Sequence, residues 1–200
     1  MYDRRLAAAL FAPVAAVSLA GCGLNSVPTR QEEARQAWAN VQAAYQARAD
    51  LIPQLVGTVR GAARIEEETL TNVINARARA TQVTLNADQL SDPAAVERYR
   101  EAQGQVGSAL GRLLVTVEQY PQLQSQGRFA DLQSQLESSQ NRITIAIRDY
   151  NEAVRRYNTT IRTFPDAIGA KVIHGAQPMQ PYVAVSPNAQ QAPTVDFGVK

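Results

Sequence analysis

The strongest nucleophile a side chain can offer is a thiol, and this 200-residue chain has one, Cys22. It stands directly behind Leu19-Ala20-Gly21. A single Cys forms no internal disulfide, and one imidazole, His174, builds no His-rich metal site. His174 lies far down the chain with no second ligand beside it, so it reads as a polar tail residue. Glu66, Glu67 and Glu68 are consecutive. On a helix they point about 100° apart, cannot converge on one metal or one bond, and read as a solvated face. Ser91, Ser108 and Ser125 have neither an adjacent base nor a Gly-x-Ser-x-Gly setting. Gly104, Gly107 and Gly111 follow no strand, so close helix packing is a better reading than a phosphate cradle. Catalytic residues are therefore expected to be none, and neither a metal nor a cofactor is implied.

The chemistry that remains is at the N-terminus. Arg4 and Arg5 precede an uncharged run from Leu6 to Gly21, followed by Cys22. A basic start, an apolar stretch and small residues before a cut are the marks of a secretory signal. Sixteen residues at 1.5 Å reach about 24 Å, short of a hydrocarbon core of roughly 30 Å, and Pro13 weakens the helix further. Leu-Ala-Gly-Cys resembles the bacterial lipobox, in which the thiol receives a diacylglyceryl group before cleavage between Gly21 and Cys22. The expectation is a signal peptide over 1–21, a lipid on Cys22 and a tether over 22–27. Several fatty chains at about 0.8 kcal/mol per buried methylene anchor durably. Gly23 in place of an Asp resembles outer-membrane sorting if the cell is Gram-negative, with the protein facing the periplasm.

Positioning elements are legible from periodicity. Aromatics are 6% of residues, charged residues 19%, and the net charge is +2 with the basic residues scattered. An all-β fold and a polybasic nucleic-acid footprint are both disfavoured. Apolar residues fall into four heptad-like rows. The first is Ala34, Trp38, Val41, Tyr45 and Ile52; the second is Leu55, Val59, Ala62, Thr69, Val73, Ala76, Ala80 and Val83, with Val56, Ala63 and Leu70 widening the stripe. Pro53 between them either opens a helix or kinks a continuous one, and a turn around 50–52 is expected. The third row runs from Val96 through Tyr99, Val106, Leu110 and Leu113 to Val117 and Tyr120, with Asp92 as N-cap and Pro93 at N1. The fourth runs from Phe129 to Phe164 and stops at Pro165. The fold class expected is all-α: a long antiparallel bundle of four helices over 28–165, up-and-down-like, with an extended Pro/Gln-rich tail over 166–200. Tyr182, Val183, Val185, Val195 and Phe197 are the spots where that tail would clip on.

Two pairs need separate readings. Tyr150-Asn151 and Tyr157-Asn158 repeat one heptad apart. Each Asn either controls helix register, because a misregistered helix would strand it, or is a plain polar flank. Trp38 and Tyr45, seven apart beside the tether, are either core residues or candidate contacts with a partner protein.

Ala37-Trp38-Ala39-Asn40-Val41 and Arg48-Ala49-Asp50-Leu51-Ile52-Pro53-Gln54-Leu55-Val56 resemble the opening of the LemA family. Tyr120-Pro121-Gln122-Leu123, Asn141-Arg142-Ile143, the two Tyr-Asn pairs, Phe164-Pro165 and Ala192-Pro193-Thr194-Val195-Asp196-Phe197 are similar to its later parts. The resemblance implies a helical bundle held at a bacterial membrane, with no established catalysis. Gln140 departs from it, standing where the family tends to carry Glu. The expected role is a lipid-anchored, non-enzymatic scaffold or adaptor of the envelope that binds another envelope protein. A carrier of a small apolar ligand and an envelope hydrolase are the alternatives.

Overall fold

The computed structural model describes residues 3–62, 66–124 and 127–183, with side chains from Asn25 onward except next to the breaks. Among the described residues the regular elements are helical: α1 (Asp3–Ala62), α2 (Glu67–Gln82), α3 (Pro93–Val117), the short α4 (Pro121–Gln124), α5 (Gly127–Thr160) and α6 (Asp166–Val172). Four of these are long and pack antiparallel as a bundle. The principal pairings are α1 with α5 and α2 with α3.

All five residues of the first row are buried, from Ala34 to Ile52. So are Leu55, Val59, Val73, Ala76 and Ala80 of the second with the flanking Leu70, while Thr69 is half-buried; so too are Val96, Tyr99, Val106, Leu110, Leu113 and Val117 of the third, and Phe129 to Tyr157 of the fourth. These seams form two apolar clusters. One, around Trp38, fills the end nearer Val27 and Tyr157; the other, around Leu55, Leu113 and Leu132, fills the opposite end. Asp92 caps α3 as expected, its side chain accepting from the Ala94 amide at 2.9 Å with Pro93 in the first turn.

Four expectations are corrected. The chain does not turn at 50–52: α1 runs unbroken through Pro53, and the first reversal comes after Ala62. Proline removes the amide that would serve the carbonyl four residues earlier, that of Ala49. The Nε–H of Arg77 on α2 donates to that carbonyl instead, at 2.8 Å. The fourth row ends sooner than Phe164, which is 83% exposed, because α5 stops at Thr160. Residues 166–172 are helical rather than extended, with Asp166 in the first turn, Lys171 in the last, and Gly169 and Ala170 buried against the bundle. Close packing at the glycines is also overturned for two of the three: a methyl built on Gly107 or Gly111 would meet open space.

An aromatic core strapped by the C-terminal segment

Trp38 sits at the centre of the cluster nearer Val27 and Tyr157. Its ring makes edge contacts with Tyr99 and Tyr150, at centroid separations of 5.3 and 5.2 Å, and lies 5.7 Å from Tyr182. Its Nε1–H donates to the Leu85 carbonyl at 2.8 Å, and Gln42 donates to the same oxygen at 3.1 Å. The indole therefore has its polar edge satisfied inside the core, and the loop between α2 and α3 is held down by the same bonds. Tyr45 joins the cluster through Tyr99, and its hydroxyl lies 3.0 Å from that of Tyr182. Trp38 is 1% exposed and Tyr45 6%. The core reading fits both; as folded, neither presents a surface to a partner.

The Tyr-Asn pairs do something that heptad logic did not anticipate. The Asn151 amide takes both polar atoms of one residue: its Nδ2–H donates to the Tyr182 carbonyl and its Oδ1 accepts from the Tyr182 amide, each at 2.8 Å. Asn158 does the same for Met179, at 2.8 and 2.9 Å. Beside them the Tyr150 hydroxyl donates to the Gln180 carbonyl at 2.9 Å and the Tyr157 hydroxyl to the Gln177 carbonyl at 3.0 Å. The Gln180 amide then donates to the Leu90 carbonyl at 2.8 Å. These are clamps on a strap, not a register between helices.

The spacing has a simple arithmetic. Seven helical residues rise about 10.5 Å. Three residues of extended chain span about 9–10 Å, and three is the polyproline-II repeat. Two donors seven apart on α5 thus meet two acceptors three apart on the strap. The strap's composition has that same period: Pro178 and Pro181, Met179 and Tyr182, Gln177 and Gln180. Met179 and Tyr182 turn inward, 5% and 1% exposed, whereas Val183 is exposed. Val185, Val195 and Phe197 lie outside the described residues.

Below this cluster Arg48 is 6% exposed with no carboxylate partner. Its guanidinium lies 5.0 Å over the Tyr45 ring. It donates to the Gln103 carbonyl and side-chain oxygens at 3.2 Å and more distantly, at 3.5 Å, to Gln140 Oε1. Its Nε has no partner. Burial lowers the pKa of this guanidinium, against the opposing pull of Tyr45, Tyr182 and Tyr99. Burial likewise raises the phenol pKa of Tyr45, Tyr99, Tyr150 and Tyr182. Arg48 and Arg77 share a pocket of about 140 Å³ between α1, α2 and α3, with Gln42, Gln46 and Gln103 on its walls. Two guanidiniums and no carboxylate suit an anion rather than a metal.

The other sequence candidates stay apart. Glu66, Glu67 and Glu68 are exposed, and so is His174. Ser91 and Ser108 are half-buried on separate elements, and Ser125 lies outside the described residues. Gly21 and Cys22 lie outside the described side chains. Among the described residues no three His, Cys, Asp or Glu side chains gather as a metal site would require, and no helix is long and apolar enough to cross a membrane.

These features define a class: an all-helical bundle whose own C-terminal segment is strapped across an aromatic core. Residues 37–197 match the model of the LemA family, and the chain belongs to that family. It is similar to Protein LemA of Metamycoplasma hominis, 25% identical over 70% of this chain and 60% of that protein. It also resembles Magnetosome protein MamQ 2 of Paramagnetospirillum magneticum, 41% identical over 32% of this chain and 24% of that one. Magnetosome protein MamQ of Magnetospirillum gryphiswaldense is 34% identical over 38% of the chain and 28% of its own length. The matches thus span less than two thirds of each of these relatives.

Proposed function

We propose that the protein is a membrane-associated component of the bacterial envelope, anchored through a lipid on Cys22, whose bundle acts as a non-catalytic scaffold or adaptor. Family membership supports the envelope setting. The observation that carries the scaffold reading is the contrast between core and surface. Trp38, Tyr99, Tyr150 and Tyr182 fill the centre against one another, so apolar side chains occupy the place where a carried molecule would sit. The outer faces, in contrast, carry grooves of protein-binding chemistry. One, of about 780 Å³ between α2 and α3, is lined by Asn72, Asn75, Arg79, Glu101, Gln105 and Arg112.

In-cell crosslinking followed by affinity purification of the full chain tests this. A defined envelope protein should be captured, and Arg79→Ala with Arg112→Ala should release it while the bundle stays folded. Turnover of an envelope substrate that is lost on changing Glu66, Glu67 or His174 would replace the scaffold with a hydrolase. For the anchor, Cys22→Ser should leave an unprocessed or soluble product, because a hydroxyl forms no thioether. Intact mass of the wild-type protein is the direct readout, and a chain that begins at Met1 without lipid would end the lipoprotein reading.

A further inference from the structure

Helix α6 is packed with its small side inward. Gly169 and Ala170 are buried, and Ala170 belongs to the cluster that also holds Val27 of α1. The large apolar residues face out: Ile168 is 59% exposed, Val172 78% and Ile173 60%, with Phe164 just before the helix at 83%. Phe164, Ile168 and Val172 are four apart. Elsewhere among the described residues the exposed large apolar side chains are dispersed, at Ile74, Val115, Ile145 and Val183. Scattered apolar residues are ordinary on a protein surface, whereas a cluster marks a contact.

What covers this cluster follows from its place beside α1. The Ser26 hydroxyl donates to Asp166 Oδ1 at 2.6 Å, tying the start of α6 to the helix. From Ser26, α1 continues back through Cys22 into the uncharged run Leu6–Gly21. Cys22 is four residues away, about 6 Å along the axis. Whether the chain is held by a lipid on Cys22 or by the apolar run itself, the bilayer surface lies at this end. Charge agrees: from 162 to 174 the exposed cations are Arg162 and Lys171, and the one acid, Asp166, is taken by Ser26. Apolar side chains flanked by cations fit an anionic lipid interface, where short amphipathic helices settle about 5–10 Å deep.

We propose that Phe164, Ile168, Val172 and Ile173 form a lipid-contact surface that seats the tethered end of the bundle in the bilayer interface, with Arg162 and Lys171 at the headgroups. The inference rests on the membrane anchoring proposed above and adds a second, side-chain contact that would orient the bundle end-on.

The test uses the full-length processed chain in vesicles of phosphatidylethanolamine and phosphatidylglycerol carrying brominated acyl chains, which quench nearby tryptophan. The wild type reports Trp38, buried in the core, as the baseline. Phe164→Trp and Ile168→Trp place reporters at the proposed surface, and Val115→Trp places one on exposed α3 near its far end. Helix content by circular dichroism checks the folding of each variant, and the two reporters back each other up. The added emission at 164 and 168 should fall by about half in brominated vesicles, as burial at interfacial depth demands, while that at 115 stays unchanged. Vesicle flotation is read on the same samples. Chain that floats with unquenched 164 and 168 overturns the lipid surface and leaves the anchor standing; chain that does not float overturns both. Equal quenching at 115 would mean a bundle lying flat and would overturn the end-on seat. Protection at 164 that follows protein concentration instead of lipid would make the occupant a second copy, against the proposal.

Discussion

The Nε–H of Arg77 donates at 2.8 Å to the carbonyl oxygen of Ala49, the carbonyl that Pro53 leaves without its helical amide four residues on. A side chain on α2 thereby completes the hydrogen bonding of α1 across the bundle, and the first helix passes a proline without ending. Removing one partner of such a pair leaves an acceptor unsatisfied.

Arg77→Ala should therefore lower stability by about 1 kcal/mol, the low end of that penalty because Ala49 is half-buried. In a Pro53→Ala background the restored amide serves the carbonyl, and the same change should cost much less. A double-mutant cycle by urea denaturation measures the coupling. Strictly additive losses would mean that Arg77 acts elsewhere.

Asn151→Ala and Asn158→Ala each remove two bonds to the strap. Either should raise hydrogen exchange at the amides of Met179, Gln180 and Tyr182 by about tenfold or more, since a net bond contributes about 1 kcal/mol. Asn151→Asp is the sharper variant. It keeps an acceptor for the Tyr182 amide but loses the donor to its carbonyl, so the strap should loosen nearly as much as with Ala. Exchange unchanged in all three would mean that burial of Met179 and Tyr182 alone holds the segment.

Gln140→Glu would put a carboxylate beside a buried guanidinium that now meets a neutral amide at 3.5 Å. Because position 140 is exposed, the new charge stays partly hydrated and its desolvation cost is small. Stability should rise by about 1 kcal/mol at neutral pH and low salt, less in high salt. A lowered denaturation midpoint would show that the neutral arrangement around Arg48 is the preferred one.

The buried tyrosines give the bundle an alkaline limit. Burial raises the phenol pKa of Tyr45, Tyr99, Tyr150 and Tyr182 in the folded state, whereas in the unfolded chain each ionises near its ordinary value of about 10. Below that pH both states hold the proton and stability is at its full value. Above it the unfolded chain binds fewer protons, so stability falls by about 1.4 kcal/mol per pH unit for each such tyrosine. Denaturation midpoints from pH 8 to 11 should be flat and then drop steeply. Tyr45→Phe should make the drop shallower, and a flat profile to pH 11 would contradict the burial.

Periodicity determined the apolar rows and the helical class, the Asp-Pro pair determined the N-cap at Asp92, and the family came from the resemblance of its motifs; the heptad spacing of Ala34, Trp38, Val41 and Tyr45 is a property of the chain and needs no partner to be read. The repeat of Tyr-Asn was visible too, but its purpose was not. An Asn on a helix flank has the same local spacing whether its amide faces a helix, water or an extended strand, and the matching three-residue period of 177–182 lies some 30 residues away. The fate of Pro53 was likewise beyond local reading. A lone proline predicts a break, and the carbonyl it leaves open at Ala49 is served by Arg77, 28 residues beyond Ala49, brought alongside only when α2 folds back on α1. Burial of Trp38 and exposure of Phe164 were decided in the same way: both look like seam residues in one dimension, and only the packed bundle sets which of them meets apolar neighbours on every side.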